Sequence, residues 1–124
     1  MKKGADWEDY VHYVYSTLLN LKGERIQVSK RTTFVLPSGE TYEIDVYYEF
    51  WKAGVRHRVA IECKDWTNPV SQGQILEFHQ KIKNIGNDLI GVVVSRNGYQ
   101  DGAVNVAERH GMLALTKACV FRRT

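Results

Sequence analysis

Residues 89–95, Leu-Ile-Gly-Val-Val-Val-Ser, constrain this chain more than any other stretch. An unbroken apolar run of this length, rich in β-branched side chains, belongs to a strand covered on both faces. Its neighbours agree. Upstream, Ser71 and Gln74 have the spacing of a capping box. The helix they open carries Ile75, Phe78, Ile82 and Ile85 on one face and stops at Gly86-Asn87. Downstream, a loop with Asn97-Gly98 leads to a helix near 101–110, stopped by Gly111, and residues 112–116 (MLALT) form a last short strand. Strand-helix-strand-helix-strand order implies parallel pairing through right-handed crossovers.

The first half reads differently. Trp7, Tyr10, Val11, Val14, Leu18 and Leu21 recur at helical spacing over residues 6–21, with Asp6 as N-cap and Gly23 as the stop. Residues 25–36 and 41–51 are rich in β-branched and aromatic residues, and Pro37-Ser38-Gly39-Glu40 turns one into the other. Lys52-Ala53-Gly54 makes a second turn into a strand over 55–63, which completes an antiparallel meander. The order is α-β-β-β-α-β-α-β. Its simplest packing is one α/β/α layered domain over residues 1–124, with a mixed central sheet.

Bulk properties narrow the function classes. Hydrophobic residues at 44% supply a core for one domain and argue against disorder. No apolar run approaches the roughly 20 residues of a membrane span, and the start Met-Lys-Lys-Gly-Ala-Asp lacks the apolar stretch of a secretory signal. The expectation is a cytoplasmic protein, or a domain of a larger one, with no membrane partner. Cys63 and Cys119, the only cysteines, make neither a zinc site nor a disulfide framework, and read as reduced thiols that pack as small apolar groups. His12, His57, His79 and His110 show no paired metal spacing. A net charge of +3 is compatible with a polyanionic partner but does not by itself select one.

The carboxylates are more informative. Alternation along the second strand puts Tyr42, Ile44, Val46, Tyr48 and Phe50 on one face, and Thr41, Glu43, Asp45, Tyr47 and Glu49 on the other. On the third strand Glu62 and Lys64 share a face, about 7 Å apart at the usual rise, while Ile61 and Cys63 point to the core. Asp is disfavoured inside strands, so Asp45 between Ile44 and Val46 calls for a reason. Taken singly, Asp45 is also what a solvated strand face carries, and Glu62 with Lys64 also fits a surface ion pair. On adjacent strands, Asp45 and Glu62 converge. Two carboxylates and the Cys63 backbone carbonyl suit Mg²⁺, which takes few protein oxygens and keeps its waters. Lys64 beside them suits the orientation of a water nucleophile and the charge on a phosphate. The chemistry indicated is phosphodiester hydrolysis.

Asp45, sixteen intervening residues and then Glu62-Cys63-Lys64, set in this element order, resemble the PD-(D/E)XK nuclease superfamily over nearly the whole chain. Within it the chain is most similar to the catalytic domain of Mrr-type restriction endonucleases. The resemblance implies a restriction-endonuclease-like fold and Mg²⁺-dependent DNA cleavage, with Mn²⁺ as substitute. It implies Asp45 and Glu62 as metal ligands, Lys64 as the catalytic lysine, and Glu8 as an added acid from the first helix. Glu8 is also what the helix dipole favours in a first turn. The family motif often carries glutamine where Glu62 stands, and Ile44 replaces the proline of the motif's name. Gln74, Trp66 and Lys81 are candidate substrate or supporting residues. Each has a second explanation: the capping box for Gln74, an aromatic lid on the core for Trp66, a solvated helix charge for Lys81, as for Lys83. A junction resolvase and a catalytically silent DNA-binding module with the same fold are the alternatives. No segment reads as a dedicated DNA-reading module, so specificity calls for a homodimer or a fused recognition domain.

Overall fold

The computed structural model describes residues 4–65 and 67–117. Trp66 and Cys119 therefore lie outside the described residues. The elements are α1 (Ala5–Leu19), β1 (Val28–Val35), β2 (Thr41–Lys52), β3 (Val55–Lys64), α2 (Gln72–Ile85), β4 (Leu89–Ser95), α3 (Ala103–Arg109) and β5 (Leu113–Thr116). They come in the expected order and form one sheet, β1-β2-β3-β4-β5. The first three strands pair antiparallel, and β3-β4 and β4-β5 pair parallel.

Helices cover both faces. On one, Trp7, Val11, Val14 and Tyr15 of α1 pack with Val28, Val46, Val59, Ile61, Val92, Val94 and Leu115. On the other, Ile75, Phe78 and Ile82 of α2 and Ala103, Val106 and Ala107 of α3 pack with Ile44, Tyr47, Ala60, Leu89 and Val93. The apolar run of β4 is the hinge of this design: every residue except Ile90 is buried. Among the described residues, no helix is long and apolar enough to cross a membrane.

The structure corrects several boundaries. Gly4, at φ 86°, caps α1 in place of Asp6, which lies inside the helix. The helix ends at Leu19, and Leu21 is 67% exposed. Asn20 is the cause. Its amide donates to Ser16 and Ile26 carbonyls and accepts from the Ile26 N–H at 2.7 Å, which ties the loop and delays β1 to Val28.

A larger correction concerns β2. Ile44 and Val46 do not share a face: Ile44 joins the α2/α3 side with Tyr47, whereas Val46 joins the α1 side with Tyr48. The β1-β2 ribbon rolls over between them. Lys30 pairs with Val46 and Thr32 with Ile44, so Arg31 stands opposite Asp45 at the inflection. Arg31 has φ 51°, a left-handed conformation that is uncommon outside glycine. Simple period-two counting fails on β2 at the point where its partner strand leaves the β region.

Gly91 lets α2 approach β4 closely. A Cβ there would stand 2.7 Å from Ile82 Cδ1, 2.9 Å from Met112 Sδ and 3.1 Å from Phe78 Cε2. Gly91→Ala is expected to destabilise the domain by about 1–3 kcal/mol through overpacking. A thermal melt checks this, and an unchanged midpoint would contradict the close approach.

Candidate active site

Asp45 stands where β2 leaves β3. The two strands pair from Lys52 opposite Val55 as far as Val46 opposite Ile61, while β3 continues beside β4 to Lys64 opposite Ser95. Beyond that fork the Cys63 N–H has lost its ladder acceptor on β2. The Asp45 carboxylate replaces it, with Oδ2 accepting at 2.9 Å. A half-buried amide needs such a partner, and the bond fixes the direction of the carboxylate.

The Arg96 N–H donates to the Lys64 carbonyl at 3.0 Å, so the Lys64 backbone faces β4. Backbone direction alternates along a strand, and a residue's N–H and C=O leave from the same edge. The Cys63 carbonyl therefore opens into the fork with Asp45. Side chains alternate as well. Ala60 lies on the α2/α3 side and Ile61 on the α1 side, which sends Glu62 and Lys64 to the former and Cys63 against the α1 core.

Lys64 Nζ lies 3.2 Å from Glu62 Oε2, and both side chains are only 15% exposed. The Glu62 carboxyl is near enough for its charge to act on Asp45. Burial first, then the neighbouring Glu62 charge, pushes Asp45 up to about 6, against the opposing pull of the Cys63 N–H. Burial also pushes the Cys63 thiol up, with the charges of Asp45, Glu8 and Glu62 adding to it. The Cys63 side chain thus serves as apolar packing within reach of these charges.

Glu8 is buried at 5% exposure, although it sits in the first turn of a surface helix. Its neighbour Trp7 sets its position. The Trp7 indole donates to the Val94 carbonyl at 3.1 Å, and its ring carries the Arg96 guanidinium 5.4 Å from the centroid. Glu8 accepts from Arg31 Nε at 3.0 Å. Arg31 is the residue that sequence reasoning missed. Counting outward from the Pro37–Glu40 turn would have placed Thr32 opposite Asp45; the observed register, with Val35 opposite Thr41, brings Arg31 there instead.

Lys81 reaches the site from α2. It is half-buried, donates to the Glu43 carbonyl, and its charge is felt by Asp45. Gln74 closes the capping box with Ser71 in both directions, which accounts for its position. His79 and His110 pack at a tilt of 37° with ring centroids 4.3 Å apart, and neither is among the groups that act on Asp45.

The sequence matches the Mrr catalytic family, restriction endonuclease, over residues 3–121. The chain belongs to that family. No curated protein matches it. Among solved structures, this Mrr domain is similar to AF1548, a protein of unknown function, with TM-score 0.66 and 17% identity over 89% of this chain. It is also similar to the MspJI restriction endonuclease in complex with a 27-mer oligonucleotide (TM-score 0.60, 13% identity, 95% of this chain). A third neighbour is the DNA modification-dependent restriction endonuclease AspBHI (TM-score 0.57, 16% identity, 95% of this chain). The Mrr domain spans 58%, 27% and 30% of those three chains respectively. The likeness establishes a restriction-endonuclease-like fold.

The donor set fits a divalent metal. Among the described residues no group of three or more His, Cys, Asp or Glu side chains is disposed around one point. Two carboxyls and a carbonyl in the fork nonetheless match the modest protein share of a Mg²⁺ shell. Their mutual repulsion is what a cation would relieve.

The raised Asp45 carries a pH signature. A carboxyl whose folded value lies above its unfolded value of 3.8 contributes stability at low pH that is lost as pH rises through about 6. Asp45→Asn keeps an oxygen for the Cys63 N–H and removes the charge. With chelator present, it should flatten the stability profile between those values. At pH 7 it should be more stable than the parent by on the order of 2 kcal/mol. Denaturant melts across pH test this, and a less stable Asn variant at pH 7 would refute it.

Proposed function

We propose that residues 1–124 form one nuclease domain that hydrolyses DNA phosphodiester bonds with a divalent metal, Mg²⁺ or in its place Mn²⁺. The observation that carries this reading is the Asp45 carboxylate fixed by the Cys63 N–H at 2.9 Å, next to Glu62 with Lys64 Nζ 3.2 Å from it. Asp45, Glu62 and the Cys63 carbonyl would hold the ion, and Glu8 would add a third acid beside them. When bound, the ion supplies Lewis-acid activation of the phosphoryl group and of water.

The chain's own groups do the rest. The Cys63 N–H holds Asp45 so that the carboxylate need not reorganise. Glu62 orients the Lys64 ammonium, which is placed to position the attacking water and to offset charge that develops on the phosphate. Lys81 and Arg31 flank the carboxylates from α2 and β1, and their charge favours approach of a polyanionic backbone. The neighbours MspJI and AspBHI are considerably longer than this domain. That length supports a division of labour, with sequence or modification recognition supplied by a fused domain or a second copy.

The test is incubation with linear duplex, single-stranded and four-way DNA in Mg²⁺ or Mn²⁺. Cleavage that stops with chelator and in Asp45→Ala is expected. Cutting confined to the four-way substrate would make the domain a junction resolvase. No cutting with either ion, no heat of Mn²⁺ binding and salt-dependent DNA affinity would make it a silent DNA-binding module. Lys64→Ala should melt near the parent, bind Mn²⁺ with little change and lose cleavage by about 10²-fold or more. Retained cleavage would show that Lys64 neither positions the water nor offsets the phosphate charge.

A further inference from the structure

Glu8 and Arg31 form a contact that packing alone does not require. The Glu8 side chain is 6% exposed, and that of Arg31 is 40% exposed. Burying a carboxylate is costly unless it is paired. Yet α1 is already tied to β1 by the neighbouring Lys30–Asp9 pair at 2.8 Å, and to β4 by the Trp7 indole. The buried acid is joined through Arg31 to the position opposite Asp45, and its charge is felt at Cys63 together with those of Asp45 and Glu62.

Arg31 reaches Glu8 from an unusual position. Its φ of 51° places it at the inflection of the β1-β2 ribbon, opposite Asp45. There the guanidinium lies in the field of Glu8, Glu43 and Asp45 together. Its grip on Glu8 is a single contact through Nε at 3.0 Å. It lacks the two-point fork that makes arginine-carboxylate pairs hard to separate. A half-exposed cation held at one point beside three carboxylates is exchangeable.

We propose that Arg31 is a built-in competitor of the divalent ion: guanidinium and metal contend for the Glu8 carboxylate, so that Arg31 sets the metal affinity of the site. The inference rests on the metal-dependent reading above. Arg31 is a positioning residue in this scheme, because it acts through Glu8. Competition of this kind is a coupling between two cations for one acid, and couplings between sites commonly amount to about 5–150-fold in affinity.

Calorimetry of Mn²⁺ binding to the full chain tests this without reference to cleavage. Arg31→Gln, which keeps a donor amide and removes the charge, should tighten Mn²⁺ about tenfold. In a Glu8→Gln background the same substitution should change the affinity far less, since the contested acid is gone. If Arg31 merely anchors Glu8, Arg31→Gln will leave Mn²⁺ affinity unchanged or weaken it, and the inference is overturned. Should the variant fail to fold, nitrogen-15 NMR of the parent protein decides. The Arg31 Nε–H signal should shift, and exchange faster with water, as Mg²⁺ saturates the site; a signal that stays put at saturation overturns the proposal. If neither parent nor variant binds either ion, the metal-dependent reading itself falls and takes this inference with it. Equal binding by both proteins, with a stationary Arg31 signal, removes only the inference.

Discussion

The bond between the Cys63 N–H and the Asp45 carboxylate is where strand pairing turns into a site. A sheet that simply continued would place a β2 carbonyl against Cys63 and leave no room for chemistry. Instead the pairing of β2 with β3 stops at Val46, and the side chain of Asp45, the residue before it, takes over one rung of the ladder. The exchange satisfies a backbone donor with an ionisable acceptor, and so a structural requirement places a carboxylate at the fork. Everything else in the cluster is positioned relative to it. Glu62 acts on it through its charge, Lys64 touches Glu62, and Lys81 lends it charge from the helix above.

The rest of the fold explains why the fork can be both half-buried and reachable. It lies toward the C-terminal ends of β3 and β4, the edge at which open α/β sheets bind their ligands. Helix α1 closes one side through Trp7, and α2 the other through Ile75 and Phe78. The two cores are therefore also the walls of the site. A strand buried on both faces, β4, is the common element of both, so that the scaffold and the site share one rigid member.

The element order and the parallel second half were legible in the sequence because each element carries its own signal: the capping box, the apolar run, the Gly stops. Asp45, Glu62 and Lys64 were legible as candidates because an aspartate within a strand is anomalous and the triplet follows at family spacing. The roll of the β1-β2 ribbon was not legible. Period-two alternation along β2 assumes a regular partner strand, and Arg31 on β1 breaks that regularity opposite Asp45 with no glycine to announce it. The loss of Asp6 as N-cap has a similar source: Gly4 accepts the Glu8 N–H through its carbonyl and caps by conformation rather than by side chain. Asn20 shortened α1 through three hydrogen bonds made at a distance of four to six residues, where periodicity carries no information.

Glu8 shows most clearly how structure separates two explanations that sequence leaves equal. The first turn of α1 holds two acids, Asp6 and Glu8, and the helix dipole favours both. An acid there for the dipole alone should stay in water, since the favourable interaction is worth about 0.3–1 kcal/mol and desolvating a carboxylate costs several. Asp6 does stay exposed. Glu8 is buried, with Arg31 as its counter-charge. The dipole therefore accounts for Asp6 and is too weak to account for Glu8. The counter-charge that keeps Glu8 buried is Arg31, and because Arg31 also stands opposite Asp45, the acid of α1 and the carboxylate of the fork lie in the field of one cation.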